Sequence, residues 1–485
     1  MNKNLRYLWL GIAAVLGIFV GSKWNFPLAA WIAPVFAIRF FRESEKAGRN
    51  FLLLWLASAI PTIISWNGAT FMHFIHPVAE AVFFFLMAPL GLLPYVIDRM
   101  YYRRFDSSAW LTLVYPVAAT AMDYFSASGS PFGTFGAGGY SQRDFPAVMQ
   151  ISSVVGLWGI TFVVSWFASL LNHLWEQEFK FTRPTIAFVG LLTIIIGFGF
   201  VRILPGHQPE KSVQVAGFSL PAGKFSELMN LKMESEMNFR QAVDDLHAGE
   251  LEQIRSIAAQ GVNIVVLQEG AGLGFTDQVD KLLLDAALLA KEKQIYIVYP
   301  TFDLGKSPAE NVVQIIDPNG SVVLRHVKYG GNDFEGTLKG DGILKTVETP
   351  HGRLSAVICW DADFPNAIKQ AGKQNVDLLF VPSNDWKEVK DIHAGMATFR
   401  AVENGMTIFR QTGEGVSLVV DGRGRIINRV DMFEEQAAGF TGIQMVETPI
   451  GSVDTVYPLV GDGFGIVMLI GFVALLIGLW VLRRK

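Results

Sequence analysis

The chain has 485 residues, of which 51% are hydrophobic and 17% are charged, and its formal net charge is -4. A mean hydropathy of +0.33 is typical of a membrane protein rather than a soluble enzyme, and the charge balance gives no sign of nucleic-acid binding. The single cysteine, Cys359, excludes an internal disulfide and gives no cysteine-based metal signature.

Apolar residues are unevenly distributed and divide the chain into three parts. Residues 1–204 are strongly apolar, residues 205–460 have the pattern of a soluble α/β domain, and residues 461–485 are apolar again. Stretches suited to crossing a bilayer lie at 6–22, 25–40, 50–66, 78–97, 109–126, 147–172, 184–203 and 464–482. No small-residue cleavage site follows the first stretch, so we interpret it as an anchor rather than a signal peptide.

Positive charges predict the orientation of these eight spans. If both termini are cytoplasmic, the inner segments carry fourteen Lys and Arg residues, whereas the short outer loops carry only Lys23 and Arg143. The fourteen are Lys3, Arg6, Arg39, Arg42, Lys46, Arg49, Arg99, Arg103, Arg104, Lys180, Arg183, Arg483, Arg484 and Lys485. The soluble domain is therefore predicted to lie on the extracytoplasmic side of the membrane.

Two outer loops contain residues of chemical interest. The loop "SGSPFGTFGAGGYSQRDFP" (128–146) is rich in glycine and aromatic residues, and it suits either a guide for acyl chains at the membrane surface or a simple connector. His73 and His76 lie in another outer loop, but two histidines without a third ligand do not predict a metal site.

Strand-like and helix-like patterns alternate within the soluble part. Strands are predicted at 213–220, 263–269, 295–302, 353–361 and 377–385, and helices at 233–260, 277–292, 364–374 and 391–405. Hairpins are predicted at 312–328, with an Asn-Gly turn, and at 415–430. This order predicts mixed sheets covered by helices, with two such layers stacked.

Three chemically reactive residues end apolar runs in this domain. Glu269 follows "NIVVLQ", Lys328 closes the first hairpin, and Cys359 follows "SAVI". A thiolate can attack a carbonyl, a carboxylate can take its proton, and an ammonium or a backbone N–H, such as that of Trp360, can stabilise the oxyanion. From spacing alone, however, three such residues are more often unrelated than catalytic, and Cys359 could be a small buried hydrophobe.

At these positions the chain resembles the nitrilase superfamily, whose Glu, Lys and Cys occur in this order. With its membrane spans it resembles the bacterial apolipoprotein N-acyltransferase family. "GYSQ" (139–142), "SND" (383–385), "HAGMATFRAVENG" (393–405) and "GVSLVVDGRGRI" (415–426) are similar to family segments. The resemblance implies an eight-helix transmembrane bundle with an inserted nitrilase-like αββα sandwich. Residues 1–204 would hold seven membrane helices, 205–460 the extracytoplasmic catalytic domain, and 461–485 the last helix.

The resemblance also implies a reaction and its residues. A fatty acyl chain would pass from a phospholipid, through a thioester, to the N-terminal amine of a lipid-modified lipoprotein in the bacterial cytoplasmic (inner) membrane, without a cofactor or metal. Cys359 would be the nucleophile, Glu269 the general base and Lys328 the oxyanion-stabilising cation. The supporting residues it implies are Glu335 beside the lysine, Trp360 after the cysteine, and Asn384, which we expect to shape the loop beside the site.

The chain departs from the family pattern at several points. Gln268 replaces the usual proline before the first glutamate, and Asp361 replaces the usual glutamate two residues after the cysteine. The segment "AGFSLP" (216–221) replaces a Gln-Gly-Asn motif. The loop after Lys328, "YGGNDFEG", is one residue shorter than the usual loop. We expect Asp361 and Asp363 to cap the helix at 364. A structural role is also expected for His393, and a pairing of Glu403 with Arg400 or Lys387.

Two other functions remain open from the residues. A membrane-tethered amidase would use the same three residues with water as the acceptor. A non-catalytic lipid- or lipoprotein-binding protein on a decayed enzyme fold is also compatible with the altered loop after Lys328. The intact Glu269, Lys328 and Cys359 argue against the non-catalytic protein. The eight spans argue against the tethered amidase, because one anchor would be enough for tethering, and they favour a substrate that lies in the membrane.

Overall fold

The computed structural model describes residues 5–105, 108–204, 211–437, 439 and 442–484. Of the residues used in the charge comparison, Lys3, Lys485 and the side chains of Arg483 and Arg484 lie outside this description. Two compact units make up the chain. The helical unit comprises residues 1–130, 134–204 and 460–485, and the sandwich unit comprises residues 131–133 and 205–459.

The helical unit consists of apolar helices joined by short connections. Its α-helices are Leu5–Gly17, Pro27–Arg42, Ala47–Trp66, Met72–Ile75, Pro77–Gly91, Leu93–Tyr102, Val114–Ser128, Pro146–Met149, Ser152–Glu176, Arg183–Ile203 and Gly463–Arg484, with 3-10 turns at Ala109–Leu113 and Gly138–Gln142. Prolines at the first position begin several of them, because the missing N–H has no partner there in any case.

Five segments in the described residues are long and apolar enough to cross a membrane: Ala47–Trp66, Pro77–Tyr102, Ser152–Glu176, Arg183–Ile203 and Gly463–Leu482. The predicted count of eight spans is not confirmed. The other three predicted spans correspond to helices of 13, 16 and 15 residues, Leu5–Gly17, Pro27–Arg42 and Val114–Ser128. At 1.5 Å per residue they measure about 20–24 Å, which is shorter than a bilayer core of about 30 Å.

Two buried carboxyl groups of the helical unit have polar partners. Arg42 makes a two-pronged contact with Asp98, with Nη2 to Oδ1 at 2.7 Å and Nε to Oδ2 at 2.8 Å, and both side chains are buried. Glu80 accepts from the backbone N–H groups of Gly68 and Thr70, and His73 contacts it at 3.1 Å. These contacts give His73 a structural partner that does not require a metal.

The sandwich unit contains two mixed β-sheets. Its strands are β1 Lys211–Phe218, β2 Ile264–Leu267, β3 Gly272–Gly274, β4 Tyr296–Asp303, β5 Glu310–Ile316, β6 Val322–Val327, β7 Val347–Thr349, β8 Gly352–Ala356, β9 Leu378–Ser383, β10 Thr407–Thr412, β11 Val416–Val420, β12 Ile426–Asp431 and β13 Ile443–Ile450. The first sheet has the order β13-β1-β2-β4-β5-β6, with β3 beside β4, and the second has the order β12-β11-β10-β9-β8-β7. In each sheet, three central strands are parallel (β1, β2 and β4; β8, β9 and β10) and antiparallel strands flank them.

Helices cover the outer face of each sheet and produce an αββα sandwich. The α-helices of this unit are Lys224–Glu234, Glu236–Ala258, Thr276–Lys293, Asn332–Glu335, Pro365–Lys373, Lys390–Asn404, Met432–Ala437 and Tyr457–Val460. Alternate residues of a strand belong to different cores, as β2 illustrates: Ile264 and Val266 pack between the sheets, whereas Val265 and Leu267 pack under the helices. A strand buried on both faces therefore has a continuous apolar sequence.

Several predicted elements need correction. The predicted helix 233–260 is observed as Glu236–Ala258, capped by the Ser235 hydroxyl, which accepts from the N–H of Asn238, and the helix Lys224–Glu234 before it was not predicted. The predicted strand 353–361 ends at Ala356, and Cys359–Asp363 form a 3-10 turn. Helix Pro365–Lys373 begins after Phe364 without a side-chain cap, so the capping role expected of Asp361 and Asp363 is wrong. The pairing of Glu403 with Arg400 is confirmed at 3.1 Å.

Candidate active site

Four of the six predicted site residues lie just beyond the end of a strand. Glu269 comes two residues after β2, Lys328 directly after β6, Cys359 three residues after β8, and Asn384 directly after β9. These strands have rigid, apolar surroundings, because both faces of the sheets are covered. Side chains at such strand ends are held in place while the loops beyond form a cleft.

Lys328 is the centre of the site and contacts both predicted glutamates. Its Nζ lies 2.6 Å from Oε1 of Glu269 and also donates to Oε1 of Glu335. The Lys328 side chain is only 1% exposed, whereas that of Glu335 is 27% exposed. A buried ammonium needs such partners, because an unpaired charge in the interior is strongly unfavourable. The Glu–Lys–Glu arrangement therefore holds a positive charge deep in the site.

The surroundings shift the pKa values of Lys328 and Glu335. Burial by itself lowers the pKa of Lys328, but the charges of Glu269 and Glu335 outweigh burial and raise it well above its ordinary value. Lys328 is consequently a permanent cation. Burial raises the pKa of Glu335 to about 7 despite the opposing charge of Lys328. The pKa of Glu335 thus lies near neutral pH.

Cys359 begins the 3-10 turn in a strained backbone conformation. Its φ angle is +45°, a region that residues with a side chain rarely adopt, and such strain is concentrated at functional sites. The residue remains partly exposed, and its Sγ lies 3.9 Å from the backbone oxygen of Asn384. Burial of the sulfur and the charge of Glu269 raise the pKa of the thiol well above its ordinary value, although Lys328 acts in the opposite direction. The resting sulfur is therefore protonated.

Trp360 forms part of an aromatic cluster beside the cysteine. Its ring centroid is 6.0 Å from those of Phe132 and Phe334, which stack on each other at 4.9 Å. Gly331 lies against the Trp360 ring so closely that a Cβ there would come within 2.0 Å of it. Asn384 accepts at Oδ1 from the N–H of Glu414 at 2.9 Å, so its side chain is bonded to the backbone of the neighbouring loop.

Asn311 is a site residue that sequence reasoning missed. Its Nδ2 donates to Oε1 of Glu269 at 2.8 Å, and its backbone oxygen accepts from the N–H of Lys328 at 2.9 Å. It is buried at the start of β5, the neighbour of β6. The only signal in the sequence is a polar residue that opens the apolar run "NVVQII". Asn311 thus orients two of the three predicted residues.

A second group that the sequence did not predict lies around His393. This side chain contacts Oδ1 of Asp385 at 2.8 Å through Nδ1 and Oδ2 of Asp363 at 3.5 Å through Nε2. Arg410 donates to the other oxygen of Asp385 at 2.7 Å. All four side chains are buried. His393 has the structural partners expected of it, and the network anchors Asp385, the residue after Asn384.

The arrangement can support nucleophilic attack on a carbonyl. The carboxylate of Glu269 and the ammonium of Lys328 are in direct contact, and the charges of both act on the pKa of the protonated Cys359 thiol. The thiol needs a base to become a nucleophile, and an ammonium can stabilise the developing oxyanion. Among the described residues, no group of three or more His, Cys, Asp or Glu side chains could hold a metal ion.

Comparisons with known proteins identify two families in the chain. Residues 233–454 match the carbon-nitrogen hydrolase family, and residues 11–170 match the apolipoprotein N-acyltransferase N-terminal domain. The solved structure of an amidase from Nesterenkonia sp. is similar to part of this chain, with 19% sequence identity and a TM-score of 0.39. The alignment covers 51% of this chain and 94% of the amidase chain.

Relatives named apolipoprotein N-acyltransferase align over most of the chain. The protein from Geobacter metallireducens is 23% identical, with 94% of this chain and 91% of its own covered. The protein from Haemophilus influenzae is 22% identical, with 90% and 88% covered. Both matched domains and these long alignments agree with the apolar helices of a bacterial inner-membrane protein. The chain belongs to the apolipoprotein N-acyltransferase family.

Proposed function

We propose that this protein transfers a fatty acyl chain from a membrane phospholipid to the N-terminal amine of a lipid-modified lipoprotein. The observation that carries the proposal is the contact of Lys328 with both Glu269 and Glu335, in a group whose charges act on the thiol of Cys359. Family membership supplies the reaction class, and the named relatives have this activity in their names.

In the first half of the reaction, Cys359 attacks the ester carbonyl of the phospholipid. Its Sγ–H proton passes to Glu269 as the S–C bond forms, because the raised pKa of the thiol prevents a free thiolate from accumulating. Lys328 and the backbone N–H of Trp360 stabilise the oxyanion. The C–O bond then breaks, and Glu269 returns the proton to the departing lysophospholipid hydroxyl. A thioester on Cys359 remains.

In the second half, the neutral amine of the lipoprotein attacks the thioester carbonyl. Glu269 accepts the amine proton, the C–S bond breaks, and the proton returns to the sulfur. The products are an amide and the free thiol. Glu335 keeps the Lys328 ammonium in position through both halves, and the aromatic cluster of Phe132, Phe334 and Trp360 offers an apolar wall for the acyl chain.

The membrane arrangement is part of the proposal. We infer that the sandwich unit is extracytoplasmic, which the excess of inner over outer positive charges supports. The helices Leu5–Gly17, Pro27–Arg42 and Val114–Ser128 complete an eight-span bundle in spite of their length, since short helices are tolerated where protein neighbours surround them. Both substrates are anchored in the membrane, so an enzyme beside the outer leaflet can reach each of them.

The test is to trap the acyl-enzyme. The full chain in proteoliposomes containing phospholipid with a radiolabelled acyl chain is expected to acquire label that neutral hydroxylamine removes. A lipid-modified peptide acceptor should then discharge the label into an amide product. Cys359→Ala should acquire no label, and Lys328→Met should slow labelling by about 100-fold or more, a typical cost of losing an oxyanion-stabilising group.

An exposed lysine of the same unit provides the matched control. Lys306→Met removes a cation from a surface loop and should label at the wild-type rate. Hydroxylamine-sensitive label on Cys359→Ser or Cys359→Ala would contradict the mechanism. Discharge of the thioester to water alone, with the acceptor present, would instead identify the protein as a membrane-tethered hydrolase.

A further inference from the structure

One buried carboxylate joins the two segments that carry Lys328 and Cys359. Oδ1 of Asp361 accepts from the backbone N–H groups of Tyr329 and Gly330, both at 2.8 Å. Oδ2 accepts from the N–H of Ile358 at 2.9 Å. Tyr329 directly follows Lys328, and Ile358 directly precedes Cys359. This carboxylate therefore connects the backbone next to Lys328 with the backbone next to Cys359.

His326 is the side chain that completes the set of partners of Asp361. Its Nε2 lies 2.8 Å from Oδ2 of Asp361, and both side chains are buried, with 5% and 1% exposure. A carboxylate has about four acceptor positions, and the three backbone groups with His326 fill all of them. His326 lies on β6, where it is paired with Val313 of β5, so the sheet holds the imidazole rigidly.

We propose that His326 is a positioning residue for the acyl transfer: through Asp361 it fixes Lys328 relative to Cys359. This inference rests on the proposed function, because it assigns a role at the same site. His326 lies two residues before Lys328, and its side chain reaches Asp361 rather than the reacting atoms. Without the imidazole, Asp361 keeps only backbone partners, and the segments it joins gain freedom to shift.

The experiment measures acyl-enzyme formation and thiol reactivity in the same full-length variants. His326→Ala is expected to form the acyl-enzyme about 10- to 100-fold more slowly, while the phospholipid concentration that gives half the maximal rate stays nearly unchanged. His326→Asn and His326→Gln each keep a side-chain donor, and at least one should recover most of the rate. Because Cys359 is the only cysteine, alkylation by iodoacetamide reports its reactivity directly, and His326→Ala should slow it several-fold.

His247→Asn is the matched control. His247 is equally buried in the sandwich unit, and its Nε2 bonds to the backbone oxygen of Leu273 at 3.0 Å, away from Asp361. A wild-type rate of acylation and alkylation in folded His326→Ala would overturn the inference, and so would an equal loss in His247→Asn. If His326→Ala does not fold, the same rates are compared between His326→Gln, which keeps a hydrogen-bond donor, and His326→Leu, which has none. The leucine variant should then be the slower of the two. Failure of the proposed function would give a different result. The wild-type protein would then take no label from phospholipid, although iodoacetamide would still alkylate His326→Ala more slowly than the wild type.

Discussion

Asn311 and Lys328 donate to the same oxygen of Glu269. The Asn311 Nδ2 lies 2.8 Å from Oε1, and the Lys328 Nζ lies 2.6 Å from it. With Oε1 engaged twice, we expect the other oxygen, Oε2, to receive the proton of the Cys359 thiol. The carboxylate is thereby oriented before substrate arrives, which is the condition for efficient proton transfer.

The first prediction concerns this orientation. Asn311→Ala should slow acyl-enzyme formation by about 10-fold or more, because Glu269 loses one of the two contacts that orient it. Asn311→Asp should be at least as slow, since it places a third carboxylate beside Glu269 and Glu335. Single-turnover labelling from phospholipid measures both variants. An unchanged rate in both would show that Lys328 alone is sufficient to orient the base.

The second prediction separates the charge of Glu335 from its hydrogen bond. Glu335→Ala removes both and should lower the rate of acyl transfer by about 100-fold, whereas Glu335→Gln keeps a hydrogen-bonding side chain and should lose less. Because the pKa of Glu335 is about 7, the pH profile of the wild type should include a transition near neutral pH that is absent from Glu335→Gln. A transition that persists in the glutamine variant would belong to another group.

The third prediction uses two glycines of one loop. Gly331 and Gly336 have φ angles of +80° and +68°, so alanine is strained at both positions. A Cβ at Gly331 would lie 2.0 Å from the Trp360 ring, whereas a Cβ at Gly336 would meet nothing within 4 Å. Gly331→Ala should therefore displace Trp360 and lower acylation by about 10-fold or more, and Gly336→Ala should cost only about 1 kcal/mol of stability.

Labelling rates and thermal unfolding midpoints of the two glycine variants provide the measurement. Equal rates in Gly331→Ala and Gly336→Ala would show that the position of Trp360 does not matter for the reaction. Because the backbone strain is similar in the two variants, the difference between them isolates the contact with the ring.

The fourth prediction is a loss of stability in alkaline solution. Burial opposes the charge of His393, but Asp385 and Asp363 outweigh it and raise the pKa of His393 from 6.5 to about 9. The folded state binds this proton more tightly than the unfolded chain does, so the stabilisation is complete below pH 6.5 and is lost as the pH rises through about 9. A pKa shift of this size corresponds to a contribution of His393 to the free energy of unfolding on the order of 3 kcal/mol.

Thermal unfolding of the full chain in detergent solution, measured from pH 6 to 10, tests this stability prediction. The wild-type midpoint should fall across that range, and His393→Asn should be less stable at pH 6 with a flatter profile. An equally steep profile in the variant would assign the loss to other groups.

The fifth prediction is a loss of stability in acidic solution. Burial lowers the pKa of His247 from 6.5 to about 4, although its bond to Leu273 acts in the opposite direction. The folded state therefore holds His247 neutral, and its contribution is complete above pH 6.5 and lost as the pH falls towards 4. Wild-type protein should lose more stability than His247→Asn between pH 6.5 and 4.5, measured by thermal unfolding. A parallel decline in the two proteins would contradict this assignment.

Elements with a strong local pattern could be predicted from the sequence, and elements without one could not. The predicted limits of β2 and of the helix Thr276–Lys293 are close to those observed, because β2 is a short continuous apolar run and the apolar residues of the helix recur with the helical period. β10 and β13 were missed. β10 contains buried Arg410 and Gln411 within its apolar run, and β13 takes its place only by pairing with β1, which lies far away in the sequence.

The sequence by itself determined the apolar spans, the alternation of strands and helices, and the location of Glu269, Lys328 and Cys359 at strand ends. These are local properties, because burial of a strand or a membrane segment imposes a pattern on consecutive residues. Only the tertiary structure decided that Asn311 reaches Glu269 across 42 residues and that His326 reaches Asp361 across 35. Such contacts depend on sheet register and on the folding of loops over the strand ends, and no pattern within a single element encodes them.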